Sequence, residues 1–211
     1  MQKSLLSIIF LVIAVTVALA TVAKAEDDFK HYGVRVRGIF VMPDDKFDSR
    51  LSSLSPSVSN NYIPELDLEY FFTKNISAEV IAGVTRHDIK LGNGAAAGLN
   101  NGIVGSTYLL PPSITVKYHP IPDAKVSPYI GAGLELTFPF NYEMNGVKDF
   151  KIYQSVGYAA QAGVDIKLKD NIYFNLDYKY LNVDTQARIN GVKYDVDLNP
   201  HLFGVGVGYR F

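Results

Sequence analysis

A chain of 211 residues with 48% hydrophobic and 12% aromatic side chains is too apolar and too aromatic to be disordered. Its formal net charge of -1 argues against binding nucleic acid by phosphate neutralisation, and the absence of cysteine excludes a disulfide scaffold, a thiol nucleophile and a thiolate metal site. After the N-terminal segment, no apolar run is long enough for a membrane-spanning helix.

In chain order, the first element predicted is a secretory signal peptide over residues 1–25. Lys3 supplies the positive start, Leu5 to Ala23 is apolar, and Ala23-Lys24-Ala25 fits a small-x-small cleavage site followed at once by Glu26-Asp27-Asp28. An uncleaved anchor is the alternative. Residues 26–211 form the functional domain. There, apolar residues recur at every second position, the signature of strands, in eight stretches at roughly 31–41, 62–72, 75–86, 108–119, 126–140, 153–167, 171–185 and 198–211. One face of the first stretch is Tyr32, Val34, Val36, Gly38 and Phe40, and one face of the third is Ile76, Ala78, Val80, Ala82 and Val84. The seventh repeats the pattern with Ile172, Phe174, Leu176, Tyr178 and Tyr180. These apolar positions carry no charge.

The interleaved positions hold the charges: Arg35, Arg37, Lys117, Lys167, Lys179 and Arg210 with Glu65, Asp67, Glu69, Glu79, Glu135, Asp165 and Asp177, among Gly, Ser, Thr and Asn. Small residues crowding a charged face suit a narrow closed interior. Aromatic residues ending an apolar face suit the two interfaces of a membrane. Only closed sheets can span a bilayer, because an open edge would leave backbone groups unpaired in hydrocarbon. The fold predicted is all-β: an eight-stranded antiparallel transmembrane β-barrel of up-and-down topology. Eleven residues at ~3.3 Å rise and a tilt of about 40° reach roughly 28 Å, enough to cross the apolar layer.

Short connections are expected near 72–75, 120–125 and 168–171, and long ones at 42–61, 86–107, 139–152 and 181–200, the latter extracellular. The serine-rich run Ser52 to Ser59 and the glycine-rich run Leu91 to Gly105 read as mobile loops. Asn190-Gly191 is a type I′ hairpin signal. Its register sets Tyr178 opposite Phe203, Leu176 opposite Val205, Phe174 opposite Val207 and Ile172 opposite Tyr209, all on one face. Asn145-Gly146 cannot act likewise, since a two-residue turn there puts Ile130 opposite Gln161. A bulge or longer loop must intervene.

Four segments carry a resemblance to the OmpW family of outer-membrane proteins: Leu109-Leu110-Pro111-Pro112-Ser113, Ser127 to Leu134 (SPYIGAGL), Ala160 to Asp165 (AQAGVD) and Gly206 to Phe211 (GVGYRF). The resemblance spans nearly the whole mature chain. It implies an eight-stranded barrel, and passage of small hydrophobic molecules through an opening in the barrel wall. Many relatives carry a Trp before the position of Gly157, where this chain has Val156, so a gate built on that Trp lacks its residue here. The final strand, with Phe203, Val205, Val207, Tyr209 and Phe211, resembles the signal read by the barrel assembly machinery.

An eight-stranded barrel is just wide enough to be filled by side chains. Arg35, Arg37, Asp67, Glu69, Glu79, Lys117, Glu135, Asp165, Asp177 and Lys179 are expected to form a charged plug, below an apolar pocket in the extracellular half. Pro64, Pro111 and Pro112 cannot donate to the ladder, and mark a candidate lateral opening toward the extracellular strand ends; alternatively they only start or end strands. The partners expected are outer-membrane lipid, the assembly machinery and a small hydrophobic ligand. No cofactor, metal or enzymatic activity is expected. His31, His87, His119 and His201 lack metal-ligand spacing and read as strand-end residues, and His87-Asp88 has no serine to activate. The alternative function is a structural or host-contact surface protein whose loops bind a partner. An apolar cavity open between strands would favour transport, and a packed lumen under protruding hairpins would favour the surface role.

Overall fold

The computed structural model describes residues 29–98 and 100–211; the expected signal segment 1–25 lies outside them. Along the chain run β1 (Tyr32–Met42), β2 (Lys46–Phe47), β3 (Pro56–Val58), β4 (Asn61–Phe71), β5 (Ile76–Gly83), β6 (Thr85–Leu91), β7 (Gly102–Leu110) and β8 (Ser113–Tyr118). They are followed by β9 (Val126–Met144), β10 (Phe150–Ile152), β11 (Ser155–Lys169), β12 (Ile172–Leu181), β13 (Asp184–Ile189), β14 (Val192–Asp197) and β15 (His201–Arg210). Eight staves close antiparallel in the order β1, β4, β5, β8, β9, β11, β12, β15, and β15 returns to β1 from Gly33↔Arg210 to Met42↔His201. Closure leaves no free edge in the barrel wall.

Strand parity decides what each face meets. The apolar set points outward and is exposed: Val36, Ile114, Leu134, Val156 and Val205 are each more than half accessible. The charged set points inward, where Asp67, Glu79, Lys117 and Glu135 have no accessible surface. Aromatic rings mark both rims of the outer band. Tyr32, Tyr70, Phe72, Tyr209 and Phe211 ring the end that holds the start of β1, the C-terminus and the short turns, and Phe40 with Tyr62 and Tyr178 with Phe203 ring the other. From Tyr32 to Phe40 a tilted strand climbs roughly 20 Å, close to the height of an apolar membrane band. Of the inward-facing charges expected from parity, Lys167 alone differs: it is exposed at the turn-end rim, below the packed lumen.

The Asn190-Gly191 turn has φ of 49° and 85°, both positive as a type I′ turn requires. Its register runs unbroken from Ile189↔Val192 through Tyr178↔Phe203 to Ile172↔Tyr209, as the turn chemistry specifies. At Asn145-Gly146 no tight hairpin forms: β11 pairs with β9 so that Ile130 meets Ala162, one residue from the forbidden register. The upper part of β9 pairs instead with β7, and β10 pairs with β13.

The long connections differ from the mobile loops expected. The staves continue past the membrane band as β6–β7 and β13–β14, with β2, β3 and β10 added at their edges. Ser49–Leu54 forms a 3-10 helix capped by the Asp48 side chain, and Gly94–Ala97 forms another. The extension is amphipathic in the opposite sense: inward residues such as Ile89, Leu91, Val104 and Val196 are apolar and buried, while Arg86, Lys90 and Lys193 face out.

Replacing Leu134, centred on the outer band, with Arg is expected to lower folding stability in lipid vesicles by about 2–4 kcal/mol. Guanidinium unfolding of the vesicle-bound chain measures this, and a change below ~0.5 kcal/mol would contradict lipid exposure at that position.

Candidate functional site

Arg35 and Arg37, both on β1, organise the lower lumen. Arg35 pairs with Asp67 at 2.9 Å, Glu79 at 3.0 Å and Asp165 at 3.2 Å, and also with Glu69. Arg37 reaches Glu65 at 3.0 Å, Asp67 and Glu79 at 2.9 Å each, and Asp177 at 3.3 Å. Lys117 from β8 adds Glu79 at 2.6 Å and Glu69 at 3.2 Å, and Lys179 from β12 adds Glu65 at 3.2 Å. The guanidiniums can span the lumen because β15 offers glycine opposite them. A Cβ on Gly206 would lie 2.6 Å from Arg37 Cγ.

Nine of the ten residues expected in the charged layer thus lie in one connected network. Glu135 is the tenth, and it has no cationic partner among the described residues; it bonds only the hydroxyl of Thr137. The network also recruits residues outside those ten. The Tyr129 hydroxyl donates to Asp177 at 2.6 Å and accepts from Asn175 at 3.0 Å, and the ring of Tyr129 lies 3.8 Å from Lys117 Nζ. His119 Nε2 lies 3.3 Å from Glu69, and Arg210 pairs with Asp165 at 2.7 Å. Tyr129 and Asn175 share the inward parity of the charged residues, and that was the signal available for them.

Above this layer the inward face turns apolar. Ile39, Val41, Ile63, Leu109, Leu181 and Leu202 pack together, and beyond them opens a cavity of about 310 Å³. Its walls are Phe47, Leu54, Val58, Ile89, Leu91, Phe150, Ala187 and Val196, with Thr107, Thr137, Thr185 and His87 as polar points. The size lies at the lower end of small-molecule sites. Most of the wall comes from the hairpin extensions. Following each strand's parity past its expected end would have found these residues.

The wall is interrupted beside this cavity. The ladder between the second and third staves ends at Glu65↔Gly83, next to Pro64, and resumes only at Val58↔Ile89 on β3 and β6. Between them the Asn61 side-chain amide donates to the Arg86 carbonyl at 2.6 Å. Between the third and fourth staves, pairing stops at Ile81↔Ser113 and restarts at Thr85↔Leu109, which leaves Pro111 and Pro112 unpaired on that side. These two prolines therefore sit in mid-stave, not toward its end as the sequence suggested, because β7 carries the stave on to Gly102.

His87 is likewise no strand-end residue. It lies inside β6, 3% exposed, and its Nδ1–H donates to the Ser59 carbonyl at 2.8 Å. Its outward neighbours Arg86 and Asp88 place it beyond the hydrocarbon band. Burial disfavours its charged form and holds its pKa below the usual imidazole value.

A closed sheet of eight staves, apolar outside and ion-paired within, defines a transmembrane β-barrel of the outer-membrane type. The chain belongs to the OmpW family, whose sequence model matches residues 31–211. It is 34% identical to outer membrane protein W of Vibrio cholerae over 94% of this chain and 97% of that one. It is 35% identical to the outer-membrane protein y4mB of Sinorhizobium fredii over 84% and 79% of the two chains. Its fold superposes on OprG of Pseudomonas aeruginosa with a TM-score of 0.76 at 25% identity, covering 86% of this chain and 97% of that one. The protein resides in the outer membrane of a Gram-negative bacterium. The short turns are then periplasmic and the hairpin extensions extracellular.

Two measurements test the site. Lys179→Met leaves Glu65 facing fewer cations and is expected to cost about 3–5 kcal/mol of folding stability, part of which returns in the double variant with Glu65→Gln. The His87 ring, followed by NMR across acidic pH, is expected to titrate below about 6.5. The unfolded chain binds that proton more readily, so this group makes the fold less stable as pH drops below that value.

Proposed function

We propose that the protein lets small hydrophobic molecules cross the outer envelope by entering the apolar cavity from outside and leaving sideways into lipid. The observation that carries this reading is the conjunction of three features: an apolar cavity, an ion-paired layer beneath it, and a wall interrupted beside it. The lower layer acts as the plug. Its carboxylates and cations satisfy one another in an interior too narrow for bulk water, so an apolar solute finds no path downward.

The exit is the seam between β4 and β6 above Pro64, with the proline gap at Pro111 and Pro112 loosening the neighbouring ladder. Residues there lack the full set of backbone hydrogen bonds that hold the rest of the wall, so parting them costs less. The extracellular hairpins supply the walls of the cavity, which favours transport over a purely surface-contact role. The reading involves no covalent chemistry and no cofactor. The outward residues Phe203, Val205, Val207, Tyr209 and Phe211 on the last stave serve as the signal for the barrel assembly machinery.

The chain has no cysteine, so a designed pair reacts alone. Tyr62→Cys with Arg86→Cys flanks the seam. Bridging the two thiols with a short bifunctional reagent in vesicles is expected to reduce uptake of a hydrophobic solute several-fold, and a cleavable bridge restores it on reduction. Uptake unaffected by the bridge would remove the lateral route.

A further inference from the structure

Among the described residues seven carboxylates face the lumen, and six of them touch a lysine or arginine: Glu65, Asp67, Glu69, Glu79, Asp165 and Asp177. Glu135 touches neither, although it is wholly buried. Its Oε1 accepts from the Thr137 hydroxyl and its Oε2 has no hydrogen-bond partner among the described residues. The cations on the lumen side among the described residues are Arg35, Arg37, Lys117, Lys179 and Arg210, five against seven carboxylates, so this part of the interior is short of positive charge.

The location is specific. Thr137, two residues further along β9, lines the cavity. Glu135 is therefore one hydrogen bond from the cavity wall, on the side of the ion-paired layer. Its cross-strand neighbour on β8 is Ser113, which adjoins the proline gap. Two further buried hydroxyls have no partner among the described residues: Ser155, directly across from Thr137, and Thr85, next to His87 on the inward face of β6. The cavity thus has an apolar body and, behind its Thr137 edge, a carboxylate oxygen that no donor meets, beside hydroxyls with open lone pairs.

A buried carboxylate with no counter-charge is costly, and the cost falls when a cation arrives with its own hydrogen atoms. We propose that the cavity selects apolar molecules bearing a protonated amine, with the hydrocarbon in the upper cavity and the ammonium donating to Glu135 Oε2. The hydroxyl oxygens of Thr137 and Ser155 accept its remaining hydrogens. Alcohols of the same length gain less, and carboxylates are repelled. This deepens the transport reading and rests on the cavity being a ligand site.

The test uses the full chain folded in lipid nanodiscs at neutral pH, with n-hexylammonium, n-hexanol and hexanoate as probes. Binding is read from shifts of the Thr137 and Ser155 amide NMR signals. The wild-type comparison needs no variant: hexylammonium is expected to bind about tenfold more tightly than hexanol, and hexanoate more weakly than either. In Glu135→Gln, whose intact barrel is verified by its amide spectrum, the gap between amine and alcohol is expected to close. Equal affinities for amine and alcohol in the wild type, or a preference that survives Glu135→Gln, would overturn the amine selectivity while leaving a hydrophobic ligand site intact. Failure of all three probes to bind the folded wild type would overturn the ligand site itself, and the selectivity with it.

Discussion

Two arginines one turn of the pleat apart, Arg35 and Arg37 on β1, hold carboxylates from β4, β5, β11 and β12 in a space without solvent. Each guanidinium is planar and many-handed, so it can satisfy several acceptors at once where a lysine could meet fewer in a fixed plane. Removing charge from water is expensive, and such a network adds little stability over a well-packed apolar filling. What it supplies is cross-barrel connection. Strands that are neighbours only through backbone bonds become tied across the diameter, and the lower lumen is filled with groups that satisfy one another.

The network also sets where a cavity can exist. Long charged side chains fill most of the lower barrel, and inward positions of the same staves become apolar higher up. Above the membrane the staves no longer have to pair on both sides, because their backbone groups can reach water. They peel into two smaller sheets whose apolar faces turn toward each other, and the space between those faces is the cavity. The prolines fall at the transition. Pro64, Pro111 and Pro112 lie at the level where pairing between the second, third and fourth staves lapses. A proline has no N–H with which to carry the ladder on at that level.

Much of this was legible in the residues. Period-two alternation placed every barrel strand to within a few residues in its membrane part, since lipid outside and charge inside impose opposite chemistry on adjacent positions. Asn190-Gly191 set the register of the last two staves because only one turn type accepts two positive φ angles in succession. Other features escaped. The extensions β6, β7, β13 and β14 read as loops, because beyond the lipid their outward positions become polar and the contrast with the inward face reverses. Glu135 was indistinguishable from its charged neighbours, as parity reports the side of a strand and says nothing of which partner lies across the lumen. His87 looked like a rim residue for want of any sign that β6 continued past it.

The sequence by itself determined the inversion of polarity, the number of staves and the direction in which each side chain points, because these follow from local alternation and from the rule that hydrocarbon tolerates no unpaired backbone group. Only the tertiary structure decided which charges meet, which carboxylate is left without a cation, and where the wall lapses beside an enclosed apolar space. Those depend on the stagger between staves distant in the chain. A shift of one residue in any pairing would exchange every partner across the lumen.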